Sequence, residues 1–326
     1  MERDQPLFRM TPDGQQLDEG LVRALVLRAI VLNRRPGYHF LGNFLRIGFA
    51  KEAEGDCRVG LPAAPYCLGM DGQAHIGALA VVADMALAGS VRSLLSDSAR
   101  LATVNLGLQF TGAEFGTSLD AAAHYQGDLQ QVVGRQGLAQ GRISNAQEMV
   151  CFGSGAFMVM PPPPGKILPA TPWINAPEDY FPELDQADLS ADEARVVDHV
   201  EYALGAARSG EHGFLDHFLG FLPVRDDDGA SCLMANGPHI SNRVGHVQGG
   251  IQFALGAATA CAALGPDWTL SGINACFLKP GQGAQIQARA RILHKGRFTA
   301  VVRTRISGAA GQMLEVMSTH AAKVQP

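Results

Sequence analysis

His75-Ile76-Gly77-Ala78-Leu79-Ala80-Val81-Val82-Ala83-Asp84 in the first half of the chain stands against Gln248-Gly249-Gly250-Ile251-Gln252-Phe253 in the second. Each stretch opens a long, proline-free run of small and apolar residues with no polar face. Such a run reads as a helix, and a helix that is apolar all round must be covered on most sides. The expected buried helices span residues 76–95 and 249–264. The other elements fall in the same order around both.

Upstream, a helix is expected at 21–32 and again at 191–207. Phe40-Leu41-Gly42-Asn43-Phe44-Leu45 then matches Phe214-Leu215-Asp216-His217-Phe218-Leu219. Downstream, Thr103-Val104-Asn105-Leu106-Gly107-Leu108-Gln109-Phe110 alternates with period two, as a half-buried strand should. Its partner begins at Ser271 and ends before Lys279-Pro280. Gly134-Arg135 then matches Gly296-Arg297, and Arg142-Ile143-Ser144 matches Arg305-Ile306-Ser307. The offset drifts only from 174 residues at Phe40/Phe214 to 163 at Arg142/Arg305. A few loop deletions in a duplicated sequence account for that. Each half therefore reads as helix, strand, long buried helix and several antiparallel strands, an α+β unit whose sheet wraps its helix. Between the halves, Pro161-Pro162-Pro163-Pro164-Gly165 opens a Pro-rich stretch that suits neither a helix nor a central strand. The expected organisation is a domain at 1–160, a linker at 161–187 and a domain at 188–326.

Composition narrows the function classes. The chain has 326 residues, 47% hydrophobic and 17% charged, enough for two ordinary cores. A net charge of -5 argues against a nucleic-acid partner recruited by global charge. No apolar stretch reaches the ~20 residues of a membrane span, and residues 1–17 do not read as a signal peptide. Cys57, Cys67, Cys151, Cys232, Cys261 and Cys276 show no CxxC pairing or zinc-ligand spacing, so they read as small buried residues of a reducing cytoplasm. No metal is expected. Asp226-Asp227-Asp228-Gly229 reads as a solvated hairpin turn and lacks the further ligands of a calcium loop.

The two halves resemble the PaaI-like hotdog thioesterases over about 40–159 and 214–324. Those proteins carry Asn-x-x-Gly-x-x-His-Gly-Gly, then an apolar helix with Asp nine residues after the His. A strand with Ser or Thr near its start, Phe-x-(Arg/Lys)-Pro and Gly-Arg follow. The halves divide this motif between them. The first has His75, Asp84 and Thr103, but Gly69 in place of the Asn and Ile76 in place of the first Gly. The second has Asn242, Gly245, Gln248, Gly249 and Gly250, but Ala257 in place of the acid and Leu270 in place of the hydroxyl residue. Similar enzymes build each site across a two-fold, with the Asn and helix start from one side and the acid and hydroxyl from the other. The resemblance thus implies two tandem hotdog domains and one live composite site of Asp84, Thr103, Asn242, Gln248 and Gly249. The second site, built from Gly69, His75, Ile76, Ala257 and Leu270, would lack a carboxylate.

Thioester hydrolysis needs a stabilised oxyanion and an activated water or nucleophile. The Gly249 N–H is an unpaired donor of a helix start, reinforced by the helix dipole, and without a Cβ the thioester oxygen can come close. The Asn242 amide offers a second donor or is a plain turn residue. Asp84 acts as general base or attacks directly, and Thr103 orients the water or is an ordinary strand residue. Gln248, in place of the family histidine, holds the loop or alters substrate choice. Gly250, Arg135, Arg297 and Lys279 are candidates for binding coenzyme A, which enters as part of the acyl-CoA substrate and not as a cofactor. For Gly249 and Gly250 the competing reading is tight packing of the helix start, and for Arg135, Arg297 and Lys279 it is a solvated sheet edge. His75 reads as structural. An oligomer of the two-domain chain is possible. Two rivals remain: a hotdog hydratase or dehydratase, which pairs an acid with a His in one site, and a non-catalytic acyl-CoA binding protein.

Overall fold

A computed structural model describes residues 10–11, 14–15, 17–35, 39–50, 52–95, 99–130, 134–161, 181, 183–242 and 244–324. A two-residue hairpin, β1 (Met10–Thr11) and β2 (Gly14–Gln15), precedes the first half. That half runs α1 (Glu19–Asn33), α2 (Phe40–Phe44), β3 (Gly48–Ala50), β4 (Asp56–Leu61), α3 (Ile76–Arg92), β5 (Arg100–Phe110), β6 (Leu119–Asp128), β7 (Arg135–Ser144) and β8 (Met149–Met160). The second repeats it as α4 (Ala191–Ala207), α5 (Phe214–Leu219), β9 (Val224–Asp226), β10 (Gly229–Ala235), α6 (Gly249–Leu264), β11 (Trp268–Phe277), β12 (Gln285–Lys295), β13 (Thr299–Gly308) and β14 (Gly311–Ala322).

The strands of both halves form one twelve-stranded antiparallel sheet in the order β3-β4-β6-β7-β8-β5-β11-β14-β13-β12-β10-β9. The order on one side of the β5–β11 seam is the same as on the other, read outward. At the seam Asn105 pairs with Cys276, Gly107 with Asn274 and Gln109 with Gly272, which centres a pseudo-two-fold on the Gly107–Asn274 pair. Irregularities recur at matched places. The ladder shifts between Thr103 and Asn105 in one half and between Leu270 and Gly272 in the other, and again at Ile143/Ser144 and Ile306/Ser307. A bulge is a specific feature of a strand, so these shifts fix the equivalence of Thr103 with Leu270 independently of any motif.

Local chemistry accounts for the elements. Asp18 caps α1 by accepting from the Leu21 N–H, and Ser190 with Glu193 forms a capping box on α4. Buried α3 and α6 lie under the sheet, and one core runs through both halves, with a smaller satellite beneath the end of α6. The helix α3 ends at Arg92, three residues earlier than expected. The single strand expected before each buried helix is instead a short helix followed by a strand pair. The Phe residues of the matched 40–45 and 214–219 segments point inward from α2 and α5, where Phe44 lies 4.8 Å from Phe218 between ring centroids. The aspartate run is the β9–β10 hairpin turn. Four cysteines are buried, whereas Cys276, on the outer face of the sheet, is exposed. Of the expected linker, residues 162–180 and 182 lie outside the described residues.

The contact that brings the halves into register is between α3 and α6. A Cβ placed on Gly250 would lie 2.5 Å from the Ala80 carbonyl oxygen and 2.8 Å from the Val81 Cα. Backbone meets backbone here, and no side chain can swing aside. We therefore expect Gly250→Ala to lower stability by about 1–3 kcal/mol, the range for forcing atoms into a packed core. Urea denaturation of the purified variant checks this, and an unchanged midpoint would show that the helices can separate freely.

Candidate active site

Asp84 sits in the middle of α3, buried to 6% exposure, at a point facing the first turn of α6. A carboxylate in such a place must be satisfied or neutralised. Its Oδ2 accepts from the Gln248 side-chain amide at 2.9 Å and from the Gly250 backbone N–H at 3.2 Å. Its Oδ1 accepts from the Thr103 hydroxyl at 3.2 Å. Burial pushes the Asp84 carboxyl up to about 6, while the Thr103 and Gly250 hydrogen bonds pull it back toward its ordinary range.

Gln248 caps α6. Its Oε1 accepts from the Ile251 N–H at 3.0 Å while its Nε2 reaches Asp84, so one side chain satisfies a helix-start donor and positions the acid. Gly250 and Ile251 thus give their N–H groups to Asp84 and Gln248. The Gly249 N–H, in the same turn, has no partner among the described residues. A Cβ on Gly249 would lie 3.0 Å from Asp84 Oδ2 and 3.2 Å from Thr103 Oγ1. Glycine here leaves room next to the acid, the hydroxyl and a free helix-start donor. All three border a cavity of about 410 Å³ to which both halves contribute.

Asn242 also borders the cavity. Its Oδ1 accepts from the Val244 and His246 N–H groups at 3.0 and 3.1 Å. The turn role is therefore realised, and Asn242 shapes the loop that leads into α6. The structure brings Asp84, Thr103, Asn242, Gln248 and Gly249 together, with Gly250 immediately behind. Lys279 lines the same cavity. Arg135 and Arg297 do not: Arg135 pairs with Asp128 at 2.7 Å, and Arg297 lies in the β12–β13 turn, 5.0 Å from the Phe298 ring. Arg92 and Arg100, which the sequence did not single out, do line it.

The pseudo-symmetric position is different. His75 caps α3, its Nδ1 accepting from the Gly77 N–H at 3.0 Å and its Nε2 lying 2.9 Å from Asp216 Oδ1 on α5. Burial pushes the Asp216 carboxyl up, but the His75 hydrogen bond and charge and the Gly213 N–H outweigh it, leaving it below its ordinary value. Ala257 and Leu270 stand where Asp84 and Thr103 stand in the other half. His75 and Asp84 lie nine residues apart on the α3 axis, about 13 Å at 1.5 Å per residue, so they do not share a site. Among the described residues no cluster of three His, Cys, Asp or Glu could hold a metal ion, and no helix is long and apolar enough to cross a membrane.

No family model matches the sequence, and no curated protein is significantly similar to it. Solved structures are similar in fold. A Lactobacillus plantarum chain assigned as an oleoyl thioesterase aligns with 84% of this chain and 100% of its own, at 12% identity and a TM-score of 0.52. The tesB protein of Mycobacterium avium subsp. paratuberculosis aligns with 85% of this chain and 96% of its own, at 10% identity and a TM-score of 0.47. A Bacillus halodurans protein solved with CoA, BH2602, covers 42% of this chain and 97% of its own, at 20% identity and a TM-score of 0.39. The α+β architecture with its large antiparallel sheet is shared with the Lactobacillus plantarum chain.

The raised Asp84 has a consequence for stability. Below about pH 4 both folded and unfolded chains hold the proton, and the site costs nothing. From about 4 to 6 only the folded state holds it, so stability falls as pH rises, and above 6 the full cost of about 3 kcal/mol is present. Asp84→Asn removes the ionisation. Relative to wild type, the variant should gain about 2 kcal/mol between pH 4.5 and 7.5 in urea titrations. A pH-independent difference would mean that the carboxyl ionises in the folded state as easily as in water.

Proposed function

We propose that the chain is an acyl-CoA thioesterase of two tandem hotdog domains, residues 1–160 and 188–326 joined by the Pro-rich segment, with one working composite site. The observation that carries this reading is Gly249: a free helix-start N–H, with no Cβ, placed against Asp84 and Thr103 of the other half. The thioester carbonyl oxygen accepts from the Gly249 N–H, where the α6 dipole favours the negative charge that develops. Asp84 takes a proton from a water that Thr103 orients, and the resulting hydroxide adds to the carbonyl carbon. The tetrahedral oxyanion collapses, the C–S bond breaks, and the proton on Asp84 passes to the leaving thiolate. One water is consumed, and a free acid and a thiol are formed. A base with a pKa near 6 is ionised at neutral pH yet still basic enough to take the proton.

The rivals fit less well. A hydratase would need an acid–histidine pair at the reacting carbon, whereas the histidine on α3 is committed to a cap and to Asp216. A pure binding protein would have no use for a buried carboxylate that costs stability at neutral pH.

A panel of acyl-CoAs assayed with a thiol-detecting reagent tests the reading. In wild type kcat should rise with pH and level off above about 6. Asp84→Asn should lower kcat by about 10²-fold or more with little change in acyl-CoA affinity. His75→Ala should lower stability by about 0.5–2 kcal/mol through the lost cap and leave turnover of the folded fraction close to wild type. Full activity in Asp84→Asn, or loss of turnover in a well-folded His75→Ala, would move the chemistry to the other helix pair.

A further inference from the structure

β5 and β11 pair with each other only between Asn105–Gln109 and Gly272–Cys276. Beyond Asn105, β5 continues to Arg100 along β8, while β11 leads through Phe277 into the 278–281 loop. The two strands part there, and residues 100–104 form one lip of the cavity and 277–281 the other. On the second lip Leu278, Lys279 and Pro280 are exposed, and Gly281 behind them is buried. The cavity of about 410 Å³ is space for a small molecule. A thiol carrier as large as coenzyme A reaches into it only with the end of its arm, so the buried wall is left to the acyl group.

Gln252 belongs to that wall and is 3% exposed. It lies on α6 three residues beyond Gly249, a rise of about 4.5 Å. Its Nε2 donates to the Val247 carbonyl oxygen at 3.0 Å. A carbonyl only accepts, so this bond settles which end of the amide carries the oxygen. Gly281 packs against the same amide, and a Cβ there would lie 3.0 Å from Nε2 and 3.1 Å from Cδ. The Oε1 is thus held in place as an acceptor, and it meets no donor among the described residues. A buried acceptor left unmet costs about 1–3 kcal/mol.

The fold does not require this cost. The offset that matches Gln248 with His75 matches Gln252 with Leu79, which is fully buried. The backbone around the two positions is alike. The Val247 N–H donates to the Gly281 carbonyl oxygen at 3.0 Å, and the Ala74 N–H donates to the Gly116 carbonyl oxygen at 2.6 Å. An aliphatic residue fills the position beside the half-site that lacks a carboxylate. The unmet acceptor stands only beside Asp84, in a cavity whose opposite wall, Met85, Leu101 and Phe157, is apolar.

Resting on the thioesterase reading, we propose that Gln252 selects the acyl group. Its Oε1 accepts from a hydroxyl close to the thioester carbonyl, so the substrate class is hydroxyacyl thioesters. The rise of about 4.5 Å from Gly249 and a hydrogen bond of about 2.8 Å place that hydroxyl on the second or third carbon. Gln252 takes no proton and touches none of the reacting atoms. It determines specificity, because an acyl group without the hydroxyl leaves the buried oxygen unmet.

The experiment compares kcat/KM for the butanoyl, 2-hydroxybutanoyl, 3-hydroxybutanoyl and 3-oxobutanoyl thioesters of coenzyme A in wild type and in Gln252→Leu. Wild type should favour one of the hydroxyacyl thioesters over butanoyl by about tenfold. It should not favour the 3-oxo thioester, which has the oxygen without the proton. Gln252→Leu, with the residue of the other half, should bring the ratio of hydroxyacyl to butanoyl to about one or below. The ratio compares two substrates in one protein, so a loss of stability or of folded fraction does not move it. A wild type indifferent to the hydroxyl, or a ratio unchanged in Gln252→Leu, would overturn the proposal. The other donor within reach is the first amide N–H of the thiol arm. Butanoyl thioesters of N-acetylcysteamine and of 2-mercaptoethyl acetate, which has an ester oxygen in place of that N–H, test it. A Gln252-dependent preference for the amide would overturn the assignment to the acyl group. Binding of the butyl and hydroxybutyl thioethers of coenzyme A, measured by calorimetry, separates selection from catalysis. A Gln252-dependent preference for the hydroxyl in a protein that hydrolyses no thioester would sink the catalytic reading and keep the selection. Hydrolysis without that preference would do the reverse.

Discussion

An ionised carboxyl in the middle of an alanine-rich helix is costly unless donors surround it, and α3 has none of its own to give. The start of α6 supplies them. The Gly250 N–H and the Gln248 amide reach Asp84 from the other half of the chain, and they can do so only because α3 and α6 touch backbone to backbone at Gly250. The rest of the site follows from this approach. It fixes which turn of α6 faces Asp84, and so sets the unpaired Gly249 donor beside the carboxylate. Three donors still do not restore the solvation lost on burial, and the carboxyl keeps a raised proton affinity. The fold thus tolerates an acid and tunes it with the same contact.

The two-fold about Gly107–Asn274 would make two such sites if the halves were identical. They have diverged where function is at stake and stayed alike where the frame is at stake. Ladder irregularities, short helices and seam register repeat, while Asp84, Thr103 and Gly249 face Ala257, Leu270 and Ile76. A homodimer cannot separate these roles, because each change appears in both sites. A fused pair can leave one site to packing, and Ala257 carries no desolvation cost.

Much of this was legible in the sequence. The resemblance to the PaaI-like motif marks Asp84 and Thr103 in one half and Gln248 and Gly249 in the other as complementary, because the two halves lack opposite parts of that motif. Helix α6 ends where expected, at a Gly265 with φ of 84°, but α3 has no such stop, and a run of apolar residues past Arg92 looks like more helix. The short α2 and α5 were hidden because five or six residues hold too little of either period to decide. Gly250 reads in the sequence as a ligand residue or as tight packing of the helix start, and its missing Cβ does serve the helix contact. Arg100 was missed because its neighbours along the strand say nothing about the opposite lip, which comes from 177 or more residues later in the chain. Contacts of that kind appear only once β5 and β11 are paired.

The cap residues show how one local device was put to two uses. Gln248 and His75 hold equivalent positions, and each accepts a helix-start N–H with one atom and presents a second polar atom to a carboxylate. At α3 the partner is Asp216 on α5, and the pair ties the short helix to the buried one. At α6 the partner is the reacting Asp84. A histidine there would have an ordinary pKa near 6.5, close to that of the acid it touches, and the two would titrate as a coupled pair. On gaining a proton the ring would also lose the lone pair that caps the helix. Glutamine has the same donor and acceptor at every pH. The departure from a histidine at this position therefore keeps both the helix cap and the donor to Asp84 fixed through the range in which Asp84 itself changes charge.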